Sequence, residues 1–200
     1  MLPACEVKKL VKSSLESVGI GKGPKEVQNA KEFYKYMFTH NPDLRRFFKG
    51  AESFTAEDVQ KSERFDKQGQ RILLAMYIVA DTFDDEPTFR AYARETVNRH
   101  RHFKMEPELW SAFFTVFVNF LASRGPLSDD QKKAWAQLAK VFDEECQSHL
   151  KDLGLPHLNK LYHTNPVKLL GVLSALLKRL RQLIDEQLTA FLVQVLTQAS

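Results

Sequence analysis

The segment ETVNRHRHFKMEPELWSAFF, residues 95–114, joins two helical patterns and carries two histidines, His100 and His102, between them. Side chains three and four residues apart share one face of a helix. Counting back from His100 in such steps passes through mainly apolar positions: Val97, Thr96, Ala93 and Phe89. Counting back from His102 reaches polar positions: Arg99, Asn98 and Glu95. His100 therefore closes the apolar face of its helix, and His102 belongs to the polar face.

The inward histidine has two interpretations, and the local pattern leaves both open. His100 could be a core residue whose ring is hydrogen-bonded to a backbone carbonyl, since buried polar groups are normally satisfied in this way. It could instead hold a ligand or a metal ion. A metal site that uses both His100 and His102 is disfavoured, because their side chains diverge by roughly 200° on a helix of 3.6 residues per turn.

The composition predicts one globular domain with a possible appendage, and it excludes several classes of function. The chain has 200 residues, 44% of them hydrophobic. Its net charge of +4 comes from basic residues interleaved with acidic ones, so nucleic-acid binding is not expected. Neither a membrane-spanning apolar run nor a signal-peptide pattern occurs. Two cysteines, Cys5 and Cys146, are too few for a disulfide framework, so a cytoplasmic location is expected.

Helical periodicity dominates residues 1–156, and no segment alternates as a strand would. This pattern predicts an all-α domain of about six or seven helices joined by short turns. Pro24 starts one of these helices, and Thr55 is the expected N-cap of a long helix that reaches Phe83. Ser128 caps the last helix of the domain, which ends near Gly154.

The sequence predicts a linker over residues 157–165 and an amphipathic C-terminal helix over residues 166–198. The apolar positions of this helix follow a 3-4 spacing: Leu170, Leu173, Leu177, Leu180, Ile184, Leu188, Phe191 and Val195. Such a stripe should dock on its own domain, pair with another chain or lie on a membrane surface. Pairing between chains is favoured, because polar Gln187 and Gln194 interrupt the seam. A homodimer or higher oligomer is therefore expected.

Two further polar side chains are predicted to face the interior. Gln68 lies within an apolar stripe of the long helix, and Tyr34 lies one helical turn from apolar residues on both sides. Together with His100 they would give an apolar cavity one amide, one phenol and one imidazole. An imidazole in an apolar pocket of an all-α protein can hold a haem iron from one side. The amide and the phenol would then be hydrogen-bond donors for a ligand on the other side.

Three segments resemble the corresponding segments of globins, most closely those of intracellular nematode globins. They are NPDLRRFFKG (residues 41–50), FDKQGQRILLA (residues 65–75) and the segment over residues 95–114. Their order and spacing are specific: a phenylalanine six residues after a proline, then Lys-Gln-Gly, then a histidine about thirty residues later. The resemblance extends from about residue 5 to residue 156, and it implies the globin fold, with helices A to H around a haem b group.

The resemblance implies a role for each matching residue around the haem. His100 matches the proximal histidine, which binds the iron. Phe48 matches the phenylalanine that wedges against the haem. Arg71 and Lys104 are the implied partners of the haem propionates, and Met105 is a further expected haem contact.

On the distal side, Gln68 stands where vertebrate globins usually carry a histidine, and Ile72 matches the apolar residue that crowds the ligand. Tyr34 matches the helix B position that faces the ligand. Since glutamine coordinates iron poorly, the sixth coordination position should be open in the ferrous state. The Tyr34 hydroxyl and the Gln68 amide should slow oxygen release, because each hydrogen bond in a dry pocket is worth about 1–3 kcal/mol.

The resemblance thus implies a protein that reversibly binds dioxygen with high affinity, for storage, transport or scavenging, and that also takes carbon monoxide and nitric oxide. One alternative is a haem enzyme, either a nitric oxide dioxygenase or a peroxidase. Another is a haem-based oxygen sensor that signals through the C-terminal helix. A third is a haem-free helical adaptor. No segment resembles a reductase domain, so the protein is expected to be primarily an oxygen binder rather than an enzyme.

Overall fold

Seven α-helices form the part of the chain that the computed structural model describes, residues 1–21 and 23–158. They are α1 Ala4–Ser14, α2 Pro24–His40, α3 Ala56–Lys61, α4 Glu63–Thr82, α5 Glu86–His100, α6 Leu109–Arg124 and α7 Asp129–Asp152. Short 3₁₀ turns cover Leu15–Val18, Pro42–Phe47 and Arg101–Phe103. These residues contain no strand, which confirms the predicted all-α class for this part of the chain. The predicted helix over residues 166–198 and most of the predicted linker lie outside the described residues.

Capping signals in the sequence set two of the helix starts. At α3, the Thr55 hydroxyl accepts a hydrogen bond from the Asp58 N–H at 3.2 Å, and the Asp58 carboxylate accepts one from the Thr55 N–H at 2.8 Å. Ser128 and Gln131 make the same reciprocal pair at the start of α7. Each pair satisfies backbone donors that the first helical turn leaves without a partner, as predicted for Thr55 and Ser128.

The single long helix predicted over residues 55–83 is wrong, because the chain is divided at Ser62 into α3 and α4. Ser62 has an extended backbone, with φ −93° and ψ 117°. The helix is interrupted because two core residues, one on each side of Ser62, must point in the same direction. Val59 and Phe65 are both fully buried, although positions six apart on one continuous helix would point about 120° away from each other. The interruption at Ser62 lets both side chains enter the core.

The core lies where α7 packs against α1, α5 and α6, and where α2 packs against α4. Large aromatic side chains fill much of it: Phe33, Phe38, Phe65, Phe89, Phe117, Phe120 and Trp135. The buried Trp135 indole donates to the Ser14 hydroxyl at 2.9 Å, so this polar group is satisfied within the core. Among the described helices, none combines the length and the apolar character that crossing a membrane would require.

Gly69 lets α2 and α4 meet with almost no side chain between their backbones. A Cβ atom at this position would lie 2.5 Å from both the carbonyl carbon and the carbonyl oxygen of Ala30. Tyr34 lies one turn after Ala30 on α2, and Gln68 directly precedes Gly69 on α4. The close crossing therefore brings these two polar residues to neighbouring positions in the fold.

Candidate functional site

A cavity of about 340 Å³ lies between α2, α4, α5, α6 and α7. Six residues singled out in the sequence line it: Tyr34, Gln68, Arg71, Ile72, His100 and Met105. Much of the remaining lining is apolar: Ala75, Met76, Val79, Leu109, Trp110, Phe113, Phe114 and Phe142. Two other predicted site residues, Phe48 and Lys104, are not part of this lining. The cavity thus brings together the imidazole, the amide and the phenol that the sequence pattern placed in the interior.

His100 is the last residue of α5, and a hydrogen bond to the backbone selects the tautomer of its neutral ring. Its Nδ1 atom lies 2.8 Å from the carbonyl oxygen of Thr96, one turn earlier on the same helix. A carbonyl oxygen can only accept a hydrogen bond, so Nδ1 carries the proton. In the neutral ring this leaves the lone pair on Nε2, which is the form that coordinates a metal. The carbonyl contact expected of a core histidine is therefore present, and it prepares the ring for coordination.

Tyr34 is 5% exposed and is surrounded by aromatic rings. The nearest ring centroids lie 5.1–5.5 Å from its own: Phe33, Phe48 and Phe65. Burial raises the pKa of the Tyr34 phenol, although a side-chain hydrogen bond with Gln68 and the positive charges of Arg64 and Arg71 act to lower it. The raised pKa keeps the phenol protonated, so Tyr34 retains an O–H donor at the cavity wall.

Helix α4 presents three of the predicted residues to the cavity. Gln68 and Ile72 are half-buried and lie one helical turn apart, so they share one face of the helix. Arg71 both lines the cavity and is exposed to solvent, which places this residue at the edge of the cavity. The wall formed by α4 is therefore polar at Gln68, apolar at Ile72 and cationic at its outer edge.

Phe48 and Lys104 occupy positions next to the cavity lining. Phe48 is half-buried, and its ring centroid lies 5.5 Å from that of Tyr34 and 5.1 Å from that of Phe38. It supports the ring of Tyr34. Lys104 is exposed and has a left-handed backbone, with φ 51° and ψ 44°. This conformation ends the 3₁₀ turn after His100, and the next residue, Met105, lines the cavity.

The lining residues that were not predicted as site residues from the sequence include Tyr92, Arg99 and Trp110. Tyr92 lies eight residues before His100 on α5, so the helical spacing could have identified it. The ring of Trp110 stands nearly perpendicular to the imidazole of His100, at 83° and with centroids 6.0 Å apart. Arg99 is ion-paired with Glu95 at 2.8 Å, and its position on the polar face of α5 carried no signal of a cavity residue.

The two neighbouring histidines have different environments. His102 is exposed and its ring lies 4.0 Å from that of Phe103, centroid to centroid. It is absent from the cavity lining, whereas His100 is part of it. The polar-face position predicted for His102 thus agrees with its exposure, and the cavity offers one imidazole nitrogen.

The groups around the cavity fit a haem. One wall provides a histidine whose Nε2 atom bears the lone pair, which is the usual protein ligand on one side of a haem iron. Aromatic and aliphatic side chains suit the flat porphyrin faces. Arg71 and Arg99 are among the lining residues, and a guanidinium group binds carboxylates such as propionates with matching geometry.

Comparisons with known proteins identify the fold. The family model for the globin domain matches residues 31–146. A globin-like protein of Caenorhabditis briggsae is 56% identical over 154 residues, which cover 77% of this chain and 96% of that protein. The myoglobin of Nippostrongylus brasiliensis is 52% identical over 153 residues, which cover 76% and 99% of the two chains. The crystal structure of a globin-like protein of Caenorhabditis elegans superimposes with a TM-score of 0.78 at 52% identity, covering 79% of this chain and all of that one.

These matches confirm both the globin fold and the likeness to nematode globins that the sequence segments predicted. The match to the globin model contains α4, α5 and α6, together with part of α2 and part of α7, and all five helices line the cavity. The chain belongs to the globin family, and it is a globin of the nematode type.

Proposed function

We propose that the protein holds haem b through His100 and reversibly binds dioxygen with high affinity, as a protein of oxygen storage, transport or scavenging. One observation carries the proposal: a single cavity has an imidazole on the α5 wall and the Tyr34 phenol and Gln68 amide on the α2 and α4 walls. Membership of the globin family supports haem binding, and a relative that is 52% identical is a myoglobin.

The residues around the cavity would each contribute to holding the haem. His100 would coordinate the iron through Nε2, with its ring orientation fixed by the Thr96 carbonyl. Haem iron supplies the reversible coordination of dioxygen, which amino-acid side chains do not provide. Arg71, together with Arg99 and Lys104, would bind the propionates as cations near the edge of the cavity. Apolar lining residues, such as Ile72 and Met105, would exclude water from the site.

Two donors on the opposite wall would determine how firmly dioxygen is held. The Tyr34 hydroxyl keeps its proton because burial raises its pKa, and the Gln68 side chain is an uncharged amide donor. Apolar and aromatic neighbours reduce competition from water, so each hydrogen bond to a polar ligand is stronger than it would be in solvent. Affinity differences among related complexes arise mainly from dissociation rates. High affinity through slow release is therefore the expected behaviour.

The visible absorption spectrum of the purified full-length protein, expressed with a supply of haem precursor, tests the proposal. An intense Soret band is expected, and it should shift on deoxygenation and again on addition of carbon monoxide, as for a ferrous haem with an open coordination position. A protein without a Soret band would contradict the proposal. So would a ferrous protein that does not respond to carbon monoxide.

We also propose that the protein is cytoplasmic and that the chain comprises a globin domain over residues 1–156, a linker over residues 157–165 and a pairing helix over residues 166–198. The support is the apolar 3-4 spacing in the sequence of the last segment. Removal of residues 164–200 is expected to convert a dimer or higher oligomer into a monomer, with the absorption spectrum unchanged. Light scattering after gel filtration measures this change in mass.

A pair of point variants serves as the control for the truncation. Leu177→Glu places a charge on the apolar stripe and should dissociate the oligomer, whereas Arg179→Glu changes a position outside the stripe and should not. A full-length protein that is monomeric at micromolar concentration would contradict the pairing proposal, while leaving the proposed oxygen binding untouched.

A further inference from the structure

Polar side chains connect α5, the helix that ends at His100, to α7. On α5 the contributing residues lie four apart, at Arg90, Arg94 and Asn98. On α7 they also lie four apart, at Glu145 and His149. Residues four apart share a helix face, so a polar stripe of α5 faces a matching stripe of α7. The last member on α5 lies two residues before His100.

The distances show direct contacts along these stripes. Glu145 accepts from Arg90 Nη1 at 2.9 Å and from Arg94 Nη1 at 2.5 Å, one arginine on each carboxylate oxygen. Asn98 Oδ1 lies 2.9 Å from Nε2 of His149. Glu145, Arg90 and Arg94 together form the α5–α7 clamp.

The clamp is more buried than exposed ion pairs such as Lys61–Glu57. The Glu145 side chain is 14% exposed, whereas the carboxylates of pairs such as Lys61–Glu57 are more than half exposed. Burial alone would raise the pKa of the Glu145 carboxyl, but the hydrogen bonds from Arg94 and Arg90 outweigh burial and leave it lowered. Charge-assisted hydrogen bonds in partly buried surroundings are stronger and less screened than those of exposed pairs. The clamp therefore restrains α5 more firmly than a surface pair would.

We propose that Glu145 is a positioning residue for the proximal histidine, acting through Arg90 and Arg94 on the helix that carries His100. The inference rests on the proposed function, since it gives His100 the role of iron ligand. Arg94 lies six residues, or about 9 Å along the helix axis, from His100. A shift or rotation of α5 on α7 moves the Thr96 carbonyl and His100 together, because the two belong to the same helical turn. Fixing α5 on α7 therefore fixes where Nε2 lies in the cavity.

Glu145→Gln removes the charge of the clamp while keeping nearly the same side-chain volume. In the full-length, haem-loaded variant, we expect haem loss to an excess of a haem-scavenging protein to be about 3- to 10-fold faster. This is less than the about 10- to 100-fold effect typical of removing a direct hydrogen-bond partner of a metal ligand. The iron–histidine stretching band in the resonance Raman spectrum of the ferrous, ligand-free protein should broaden and move to lower frequency.

Asp81→Asn is the matched control, because Asp81 is also one carboxylate that contacts two cations of a neighbouring helix. It lies near the end of α4 and contacts Lys8 and Lys12 of α1, at 3.8 Å and 2.5 Å. The control should leave both the haem-loss rate and the Raman band at their wild-type values. If Asp81→Asn changes them as much as Glu145→Gln does, the effect is general destabilisation and the positioning role is overturned.

Arg94→Gln is the second variant, and it leaves Glu145 paired with Arg90. It should give an intermediate rate of haem loss and an intermediate Raman shift. A wild-type band in both clamp variants would overturn the positioning role. Absence of any iron–histidine band in the wild-type protein would instead refute the proposed function, so the two failures are distinguishable.

Discussion

Replacing Tyr34 by phenylalanine is expected to accelerate oxygen dissociation by about 10- to 100-fold. The substitution removes only the hydroxyl, so the ring contacts with Phe33, Phe48 and Phe65 are retained. A hydrogen bond in a dry pocket is worth about 1–3 kcal/mol, and 1.4 kcal/mol corresponds to a tenfold change. Association should change much less than dissociation. Stopped-flow displacement of oxygen by carbon monoxide measures the rate.

Two further variants separate the contributions of the distal donors. Gln68→Leu should also speed release, and the double variant with Tyr34→Phe should release oxygen about 30-fold faster than the wild type or more, since two hydrogen bonds of about 1–3 kcal/mol each are lost. Tyr36→Phe is the matched control, because Tyr36 is on the same helix but does not line the cavity. A Tyr34→Phe protein that releases oxygen at the wild-type rate would exclude the hydroxyl as a donor.

The raised pKa of Tyr34 extends this prediction to alkaline pH. A phenol with the ordinary pKa of about 10 would lose its donor hydrogen as the pH rises through that value. Burial raises the pKa of Tyr34, so the protonated donor persists above that pH. The oxygen dissociation rate should therefore stay constant across the alkaline range in which the protein remains folded.

Replacing His100 by glycine is expected to weaken haem binding by more than about 100-fold. The variant loses the coordinating Nε2 atom itself, and even the loss of a hydrogen-bond partner of a metal ligand typically costs about 10- to 100-fold. Free imidazole should restore the Soret band and the response to carbon monoxide, because it can occupy the space that the side chain leaves. Haem titration of the variant, with and without imidazole, gives the affinities.

His102→Gly provides the control for this substitution, since it removes an exposed imidazole two residues away. Its haem affinity and its spectrum should match those of the wild type. Equal losses in the two variants would mean that the segment over residues 95–114 is merely destabilised. A loss confined to His102→Gly would reverse the assignment of the ligand.

Helical periodicity was sufficient to predict which side chains enter the interior. Tyr34, Gln68 and His100 each share a helix face with apolar residues, and all three line one cavity. The same periodicity missed the interruption at Ser62, because apolar positions on either side of it still fit helical spacing locally. Whether two helical segments join in one register depends on the core that receives them, and sequence spacing alone does not contain that information.

The positions of residues at helix ends and in turns around the cavity were harder to predict from the sequence. Arg99 lines the cavity although it belongs to the polar face of α5, because a residue at a helix end can reach a cavity from its rim. The ring of Phe48 lies beside Tyr34 and is not part of the cavity lining, so its expected contact with the haem stays a prediction. Such placements depend on how a turn is oriented in the assembled fold.

The backbone contact at Gly69 and Ala30 has a consequence for how this globin can evolve. Because almost no side chain separates α2 from α4 at this point, neighbouring side chains cannot be exchanged to adjust the distance between the two helices. Under the proposed function, a mutation at Tyr34 or Gln68 would therefore alter oxygen affinity in one step while the helix crossing is unchanged. A larger residue at Gly69 would displace both donors at once. Oxygen affinity can thus change through Tyr34 and Gln68 but not through the helix crossing. Related globins should therefore vary at the two donors and keep the contact between Gly69 and Ala30.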